Sequence, residues 1–188
     1  MSSHHIIRED QEPALLMMVA TGIPFAQVQE LLEWSPTVMV AEAALTEVLN
    51  WGIKIDVVLA YADKIPALTS SLQEQFPLKL LSYTKQEEAL STALHFLIEA
   101  KQKAVNVIAA EPLEIFETFS PLDISVFQSG RRWSLIRHGM YEKWLPAGSA
   151  LSVYPAHGQP DIKTLQDGVV TIQRETLFWV SEINEASA

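Results

Sequence analysis

Short apolar runs alternate with helical stretches up to about residue 122, and this alternation restricts the fold more than any other feature. Short, predominantly apolar runs predict strands at 14–20, 37–41, 55–61, 78–83 and 104–110. Apolar residues at three- and four-residue spacing predict helices at 25–34, 42–52 and 85–102. Strands that alternate with helices form right-handed crossovers. This region is therefore predicted to be a parallel sheet with helices on both faces.

The pattern changes after residue 122. Short alternating segments are separated there by glycine-containing turns, which is typical of antiparallel strands. These segments are 124–128, 131–137, 142–146, 150–155, 168–173 and 175–182. The sequence thus predicts an α/β domain over 1–122, followed by a small antiparallel β-sandwich or barrel over 123–188.

Composition disfavours several functional classes. The 188 residues include no cysteine, which excludes disulfides and thiolate metal sites. A formal net charge of -10 disfavours binding to nucleic acid and to anionic membranes. The amino-terminal stretch lacks the apolar segment of a secretory signal, and no run approaches the roughly 18 apolar residues that span a bilayer. A cytoplasmic protein with no membrane or nucleic-acid partner is therefore expected.

The third predicted strand runs into a loop that carries one acid between a tyrosine and a lysine. The stretch is GIKIDVVLAYADK, residues 52–64, and it ends in Tyr61, Asp63 and Lys64. Ligands of parallel sheets bind at the carboxyl ends of the strands, where Glu42 and Thr84 are also expected. This edge of the sheet is therefore the predicted position of a functional site.

This stretch, in a parallel half followed by a β half, resembles the thiamine pyrophosphokinase family. That family carries a phrase close to G-I-x-P-D, two hydrophobic residues and G-D-F-D-S at the end of its third strand. Two further motifs fall in order, with VAEAAL (40–45) at the family's A-D-G-G-A and YTKQEEAL (83–90) at its T-D-x-E-x-A-L. GSALSVYP (148–155) falls at its G-x-x-V-S-L-x-P, so the resemblance covers nearly the whole chain.

The resemblance implies the family's fold, a homodimer with sites between subunits, and transfer of pyrophosphate from ATP to thiamine with magnesium. Carried over to this sequence, it makes Glu42 and Asp63 the remnant catalytic acids. Tyr61 replaces the first aspartate of the third-strand motif, and Lys85 replaces the aspartate after Thr84. The family's G-A-x-G-G-R-x-D-H loop is replaced by AAEPLEIFE, 109–117, which lacks its glycines, arginine and aspartate.

These departures change the charge expected at the site from negative towards positive. Magnesium needs oxygen ligands, and an ammonium in place of a carboxylate repels a divalent ion. No cofactor is therefore expected; if a metal binds, Glu42 and Asp63 are its predicted ligands. We hypothesise that Lys64 or Lys85 pairs with Asp63 and fills the electrostatic role of the lost ion.

Six residues are candidates for binding a thiamine-like molecule or a nucleotide. Four of them, Tyr61, Lys64, Thr84 and Lys85, lie at or just after the ends of the third and fourth strands; Thr84 is also the predicted N-cap of the next helix. Trp179 lies where the family's thiamine-binding strands run, although an indole there is also typical of a β-domain core. Ser181, with Asn184, resembles a serine and asparagine near the family's carboxyl terminus.

Three functions remain open at this point. The first is a catalytically degenerate relative of thiamine pyrophosphokinase that keeps small-molecule binding. The second is an active enzyme that uses ATP and an altered magnesium site made of Glu42, Asp63 and one of Glu111, Glu114 or Glu117. The third is a structural or partner-binding homodimer in which side chains fill the cleft.

Overall fold

A computed structural model of the chain describes residues 12–21, 23–33, 36–156 and 161–183. The chain divides into two compact units, the first ending at Ile124 and the second beginning at Ser125. The assignment of 1–122 and 123–188 as catalytic-like and thiamine-binding-like domains stays a prediction.

The first unit contains a five-stranded parallel sheet. Its strands are β1 (Ala14–Met17), β2 (Val38–Ala41), β3 (Val57–Tyr61), β4 (Lys79–Tyr83) and β5 (Ala104–Ile108). They lie side by side in the order β5, β1, β2, β3, β4. Every adjacent pair is parallel. The predicted parallel α/β architecture is confirmed.

Four helices connect these strands and cover the sheet. They are α1 (Phe25–Leu32), α2 (Glu42–Asn50), α3 (Ile65–Ser71) and α4 (Glu88–Glu99). With right-handed crossovers, α1 to α3 lie on one face, and α4, which leads back across the sheet to β5, lies on the other. All residues of β1 and β2 are buried, as both faces of a covered parallel sheet require.

The end of α2 fixes how the chain enters β3. Gly52 has φ +70, a conformation that glycine adopts without strain. Its N–H donates to the Leu49 carbonyl at 3.0 Å, and that of Ile53 donates to the Val48 carbonyl at 3.4 Å. This bond pair is the Schellman motif, in which a glycine commonly follows the end of a helix.

The second unit is antiparallel, and it includes β6, whose first two residues precede the unit boundary. The strands are β6 (Asp123–Gln128), β7 (Arg131–Ile136), β8 (Met140–Leu145), β9 (Ala150–Tyr154), β10 (Ile162–Lys163), β11 (Gly168–Gln173) and β12 (Phe178–Ile183). One sheet has the order β10, β9, β12, β7, β6, and β11 pairs with β8 in another. Leu145 of β8 joins Leu151, Phe178 and Val180 in one buried cluster. The two sheets thus share a core, as in the predicted sandwich.

None of the helices in the described ranges combines the length and the apolar character that crossing a bilayer requires.

Candidate functional site

The carboxyl ends of β2, β3 and β4 surround a pocket of about 200 Å³. Glu42 begins α2 directly after β2, and a 3-10 turn over 62–64 follows β3. Tyr61 and Tyr83 are register partners at the last position of β3 and β4. The residues lining the pocket are Ala41, Glu42, Ala43, Tyr61, Lys64, Tyr83 and Gln86.

An ion pair between Lys64 and Glu42 dominates the chemistry of this pocket. The Lys64 ammonium donates to Glu42 Oε1. Glu42 lies in the first turn of α2, where the helix dipole favours a carboxylate. The hydrogen bond with Glu42 is the main reason why the pKa of Lys64 lies above its ordinary value. Lys64 is therefore a firmly protonated cation at neutral pH.

The second carboxylate oxygen of Glu42 has a different environment. Glu42 Oε2 is inaccessible to solvent and has no hydrogen-bond partner. A buried acceptor without a partner is unfavourable, and more so when it carries charge. The Glu42 side chain is 24% exposed and that of Lys64 is 51% exposed. The ion pair thus lies at the mouth of the pocket and provides a partner for only one of the two carboxylate oxygens.

Two tyrosine rings form an aromatic wall beside the ion pair. The ring centres of Tyr61 and Tyr83 are 4.7 Å apart with an interplanar angle of 58°. The Tyr61 hydroxyl donates to Gln86 Oε1 at 3.1 Å. Lys64 Nζ lies 5.5 Å from the centre of the Tyr61 ring, within cation–π range. Burial, followed by the charge of Glu42, raises the pKa of Tyr83, so its hydroxyl stays protonated.

The hypothesis that Lys64 or Lys85 pairs with Asp63 is wrong for Lys64, whose partner is Glu42. Lys64 bonds to Glu42, because the turn after β3 directs the lysine towards the start of α2. Asp63 is exposed and acts on the Lys64 charge only as a weaker, through-space contribution. Lys85 is also exposed and is not among the residues lining the pocket.

Thr84 does not cap α4, and this prediction is corrected. The helix begins at Glu88, and the carboxylate of that residue accepts three hydrogen bonds from the preceding turn. The donors are Thr84 Oγ1 at 2.8 Å, the Thr84 N–H at 3.2 Å and the Lys85 N–H at 3.2 Å. These bonds lower the pKa of Glu88. A ligand-binding role for Thr84 or Lys85 stays a prediction.

Trp179 and Ser181 lie in β12 of the second unit, on the opposite face from Phe178 and Val180. Both residues are 0% exposed, and Ser181 Oγ has no hydrogen-bond partner. Such burial is typical of a β-domain core, and a ligand role for either residue stays a prediction. Asn184 lies outside the described residues.

The sequence reasoning missed two residues of the pocket, Tyr83 and Gln86. Tyr83 is the last residue of β4. The strand-end rule that selected Tyr61 therefore also applies to it. Gln86 follows Lys85 in the motif at 83–90, but only its bond to Tyr61 reveals its role.

The donor set of this site does not fit a magnesium ion. In the ranges that the structure describes, no group of three His, Cys, Asp or Glu side chains could hold a metal. Glu42 is neutralised by Lys64, and the Glu111 carboxylate accepts a hydrogen bond from the Ala110 N–H at 3.0 Å. Mg²⁺ prefers about six oxygen ligands and needs carboxylates that are free to bind it.

Comparison with known proteins identifies the fold. The sequence matches no protein-family model and no curated protein. Thiamin pyrophosphokinase from Geobacillus thermodenitrificans is 13% identical, with a TM-score of 0.62, over 93% of this chain and 98% of that one. The chain has the thiamine pyrophosphokinase fold.

Two further structures share this fold. Thiamine pyrophosphokinase from Bacillus subtilis is 11% identical, with a TM-score of 0.60, over 91% of this chain and 99% of that one. Thiamin pyrophosphokinase from Candida albicans is 8% identical, with a TM-score of 0.57, over 94% of this chain and 90% of that one. The resemblance read from the motifs is confirmed at the level of the fold.

Proposed function

We propose that this chain is a catalytically degenerate relative of thiamine pyrophosphokinase that keeps a small-molecule site at the carboxyl edge of its parallel sheet. The Lys64–Glu42 ion pair carries this proposal. It places an ammonium on the first of the two carboxylates that the family resemblance assigns to the metal. Pyrophosphate transfer depends on positioning and on charge neutralisation by metal ions. A chain that loses the metal ligands can therefore lose this activity and still keep the fold.

The part of the pocket that one chain supplies is small. Its volume is about 200 Å³. Pockets for drug-sized ligands hold roughly 300–1,000 Å³. A single aromatic ring therefore suits this pocket better than ATP does. On this proposal the protein is cytoplasmic, forms a homodimer as the resemblance implies, and needs no metal or cofactor.

Incubation of the purified chain with ATP, Mg²⁺ and thiamine tests the loss of activity. AMP and thiamine diphosphate are measured, and the Geobacillus enzyme serves as the positive control. We expect no product above a blank without protein. Turnover that disappears in an Asp63→Ala variant would establish the altered magnesium enzyme, the second candidate, in place of this proposal.

A melting-temperature screen against thiamine, its phosphates and nucleotides tests retained binding. A ligand at 100 times its dissociation constant adds about 2.7 kcal/mol to the free energy of unfolding, or roughly 5 to 11 °C for a chain of this size. A shift for one ligand class that is lost in Glu42→Gln supports the proposal. Absence of any shift, together with a dimer in sedimentation, supports the third candidate, a structural homodimer.

A further inference from the structure

Glu42 Oε2 is the feature of the pocket that the proposed function leaves unexplained. It is a carboxylate oxygen with no hydrogen-bond partner and no solvent contact, on a residue that lines the pocket. A ligand can reach this carboxylate where Lys64 now bonds Oε1, and a donor that is also a cation is favoured there, since charge-assisted hydrogen bonds are the strongest ones available. The rings of Tyr61 and Tyr83 stand beside it, and aromatic faces attract cations.

The Lys64 side chain shows that this arrangement holds an ammonium. Lys64 Nζ bonds to Glu42 Oε1 and lies 5.5 Å from the centre of the Tyr61 ring. Its side chain is half exposed, and its neighbour Asp63 carries a second negative charge that acts on it. Lys64 can therefore leave Glu42 for solvent without being left far from an anion.

We propose that the Glu42 pocket is a binding site for a single-ring organic cation, an aryl amidine or aryl ammonium, which displaces Lys64 from Glu42. The inference rests on the proposed function in one respect, namely that the pocket no longer holds a divalent metal. It assigns Glu42 as the counter-ion, Tyr61 and Tyr83 as the aromatic wall and Lys64 as an internal competitor.

Size and charge select this ligand class over the alternatives. A cavity of about 150 Å³ can accept benzene, so a pocket of about 200 Å³ takes one ring with a small cationic group. An anion would be repelled by the Glu42 carboxylate and could not accept a hydrogen bond from it. A neutral ring would leave the Glu42 carboxylate without a charged donor once Lys64 had moved away from Oε1.

Benzamidine is the probe, because it joins one ring to a planar group that is a cation at neutral pH. Its affinity is measured by calorimetry for the wild-type chain and for Lys64→Met, which removes the internal competitor and keeps a side chain of similar length. We expect benzamidine to bind Lys64→Met at least about tenfold more tightly than wild type. Lys103→Met is the matched control, since Lys103 is an exposed lysine next to the opposite end of the sheet, and it should bind as wild type does.

Two comparisons assign the contacts. Benzamide, the neutral analogue, and benzoate, the anion, should bind Lys64→Met at least about tenfold more weakly than benzamidine. The Lys64→Met, Glu42→Gln double variant should lose the preference for benzamidine. Equal affinity of wild type and Lys64→Met for benzamidine, or equal binding of benzamide and benzamidine, would overturn the inference.

A measurement on the wild-type chain covers the case in which Lys64→Met does not fold. Saturation with benzamidine at neutral pH should break the Lys64–Glu42 bond, so the NMR signals of the Lys64 side chain should move in the direction that Glu42→Gln moves them. Lys64 signals that stay unchanged at saturation overturn the displacement. Turnover with ATP and thiamine would overturn the proposed function, whereas failure of benzamidine to bind in the absence of turnover overturns only this inference.

Discussion

The positive charge of Lys64 is the feature that most affects the chemistry of this site. Lys64 lies in the 3-10 turn after β3, and its ammonium bonds to the carboxylate that begins α2. Glu42, Tyr61 and Lys64 could be selected from sequence because each follows a predicted strand. The partner of Lys64 could not, because Asp63 is its neighbour in sequence and Glu42 is 22 residues away. Which acid it reaches depends on the 3-10 turn over 62–64, which the sequence does not specify.

The titration of Lys64 tests this pairing. Its pKa is raised above the ordinary 10.5, mainly by the hydrogen bond to Glu42 and to a smaller extent by the charge of Asp63. We therefore expect Glu42→Gln to lower the Lys64 pKa more than Asp63→Asn does, as measured by NMR at the lysine Cε. Because the folded pKa lies above the unfolded one, the pair stabilises the fold fully below pH 10.5 and less as pH rises through the folded pKa. A larger effect of Asp63→Asn would assign the pair to Asp63.

At the scale of elements, the start of α4 shows where local rules compete. Thr84 fits the preference for threonine at an N-cap, yet the helix begins four residues later. Glu88 takes up the donors of the turn with its own carboxylate, so the chain from 84 to 87 stays outside the helix. Propensity predicts that a helix exists here, but the choice between two capping acceptors depends on the three-dimensional path of the turn.

The Glu88 cap predicts a pH-dependent stability. Its folded pKa is lowered from 4.5 by these hydrogen bonds, so the stabilisation is complete above pH 4.5 and is lost as pH falls through the folded pKa. We expect Glu88→Gln to melt below wild type at pH 7, with a difference that shrinks as pH is lowered. Glu87→Gln removes the same charge one residue earlier, from a side chain that makes no cap bond, and should change little. A difference that is constant with pH would contradict the assignment.

The turns of the second unit predict unequal costs for two similar substitutions. Gly130 and Gly139 both have φ +70, but an added Cβ meets open space at Gly130 and the Arg174 carbonyl oxygen at Gly139. We expect Gly130→Ala to lower the free energy of unfolding by about 1–2 kcal/mol, the cost of the left-handed conformation. Gly139→Ala should lower the free energy of unfolding by about 1–3 kcal/mol more than Gly130→Ala does, because the backbone around Arg174 must shift. If the two variants unfold at the same urea concentration, the contact with the Arg174 carbonyl does not add to the cost of the substitution.

At the scale of the whole molecule, the sequence predicts the class of each unit better than its strand pairing. Continuous apolar runs separated by helical patterns suffice to predict the parallel sheet, because only a sheet covered on both faces buries such strands. The alternating segments after residue 122 resemble one another. Nothing local indicates that β8 pairs with β11 while β9 pairs with β12 and β10. Helix α3 was missed, because Pro66 and the polar residues that follow hide its periodicity.

Magnesium dependence of the melting temperature tests the electrostatic argument on the intact chain. A ligand bound only by the folded state stabilises it in proportion to RT ln(1 + [L]/Kd), so a site filled to 100 times its Kd would raise Tm by roughly 5 to 11 °C. We expect the same Tm in EDTA and in about 10 mM Mg²⁺ at matched ionic strength, because Lys64 already neutralises Glu42. A saturable rise that Glu42→Gln abolishes would mean that Mg²⁺ displaces the lysine. The pocket would then still be a metal site, and the pairing of Lys64 with Glu42 would describe only its metal-free state.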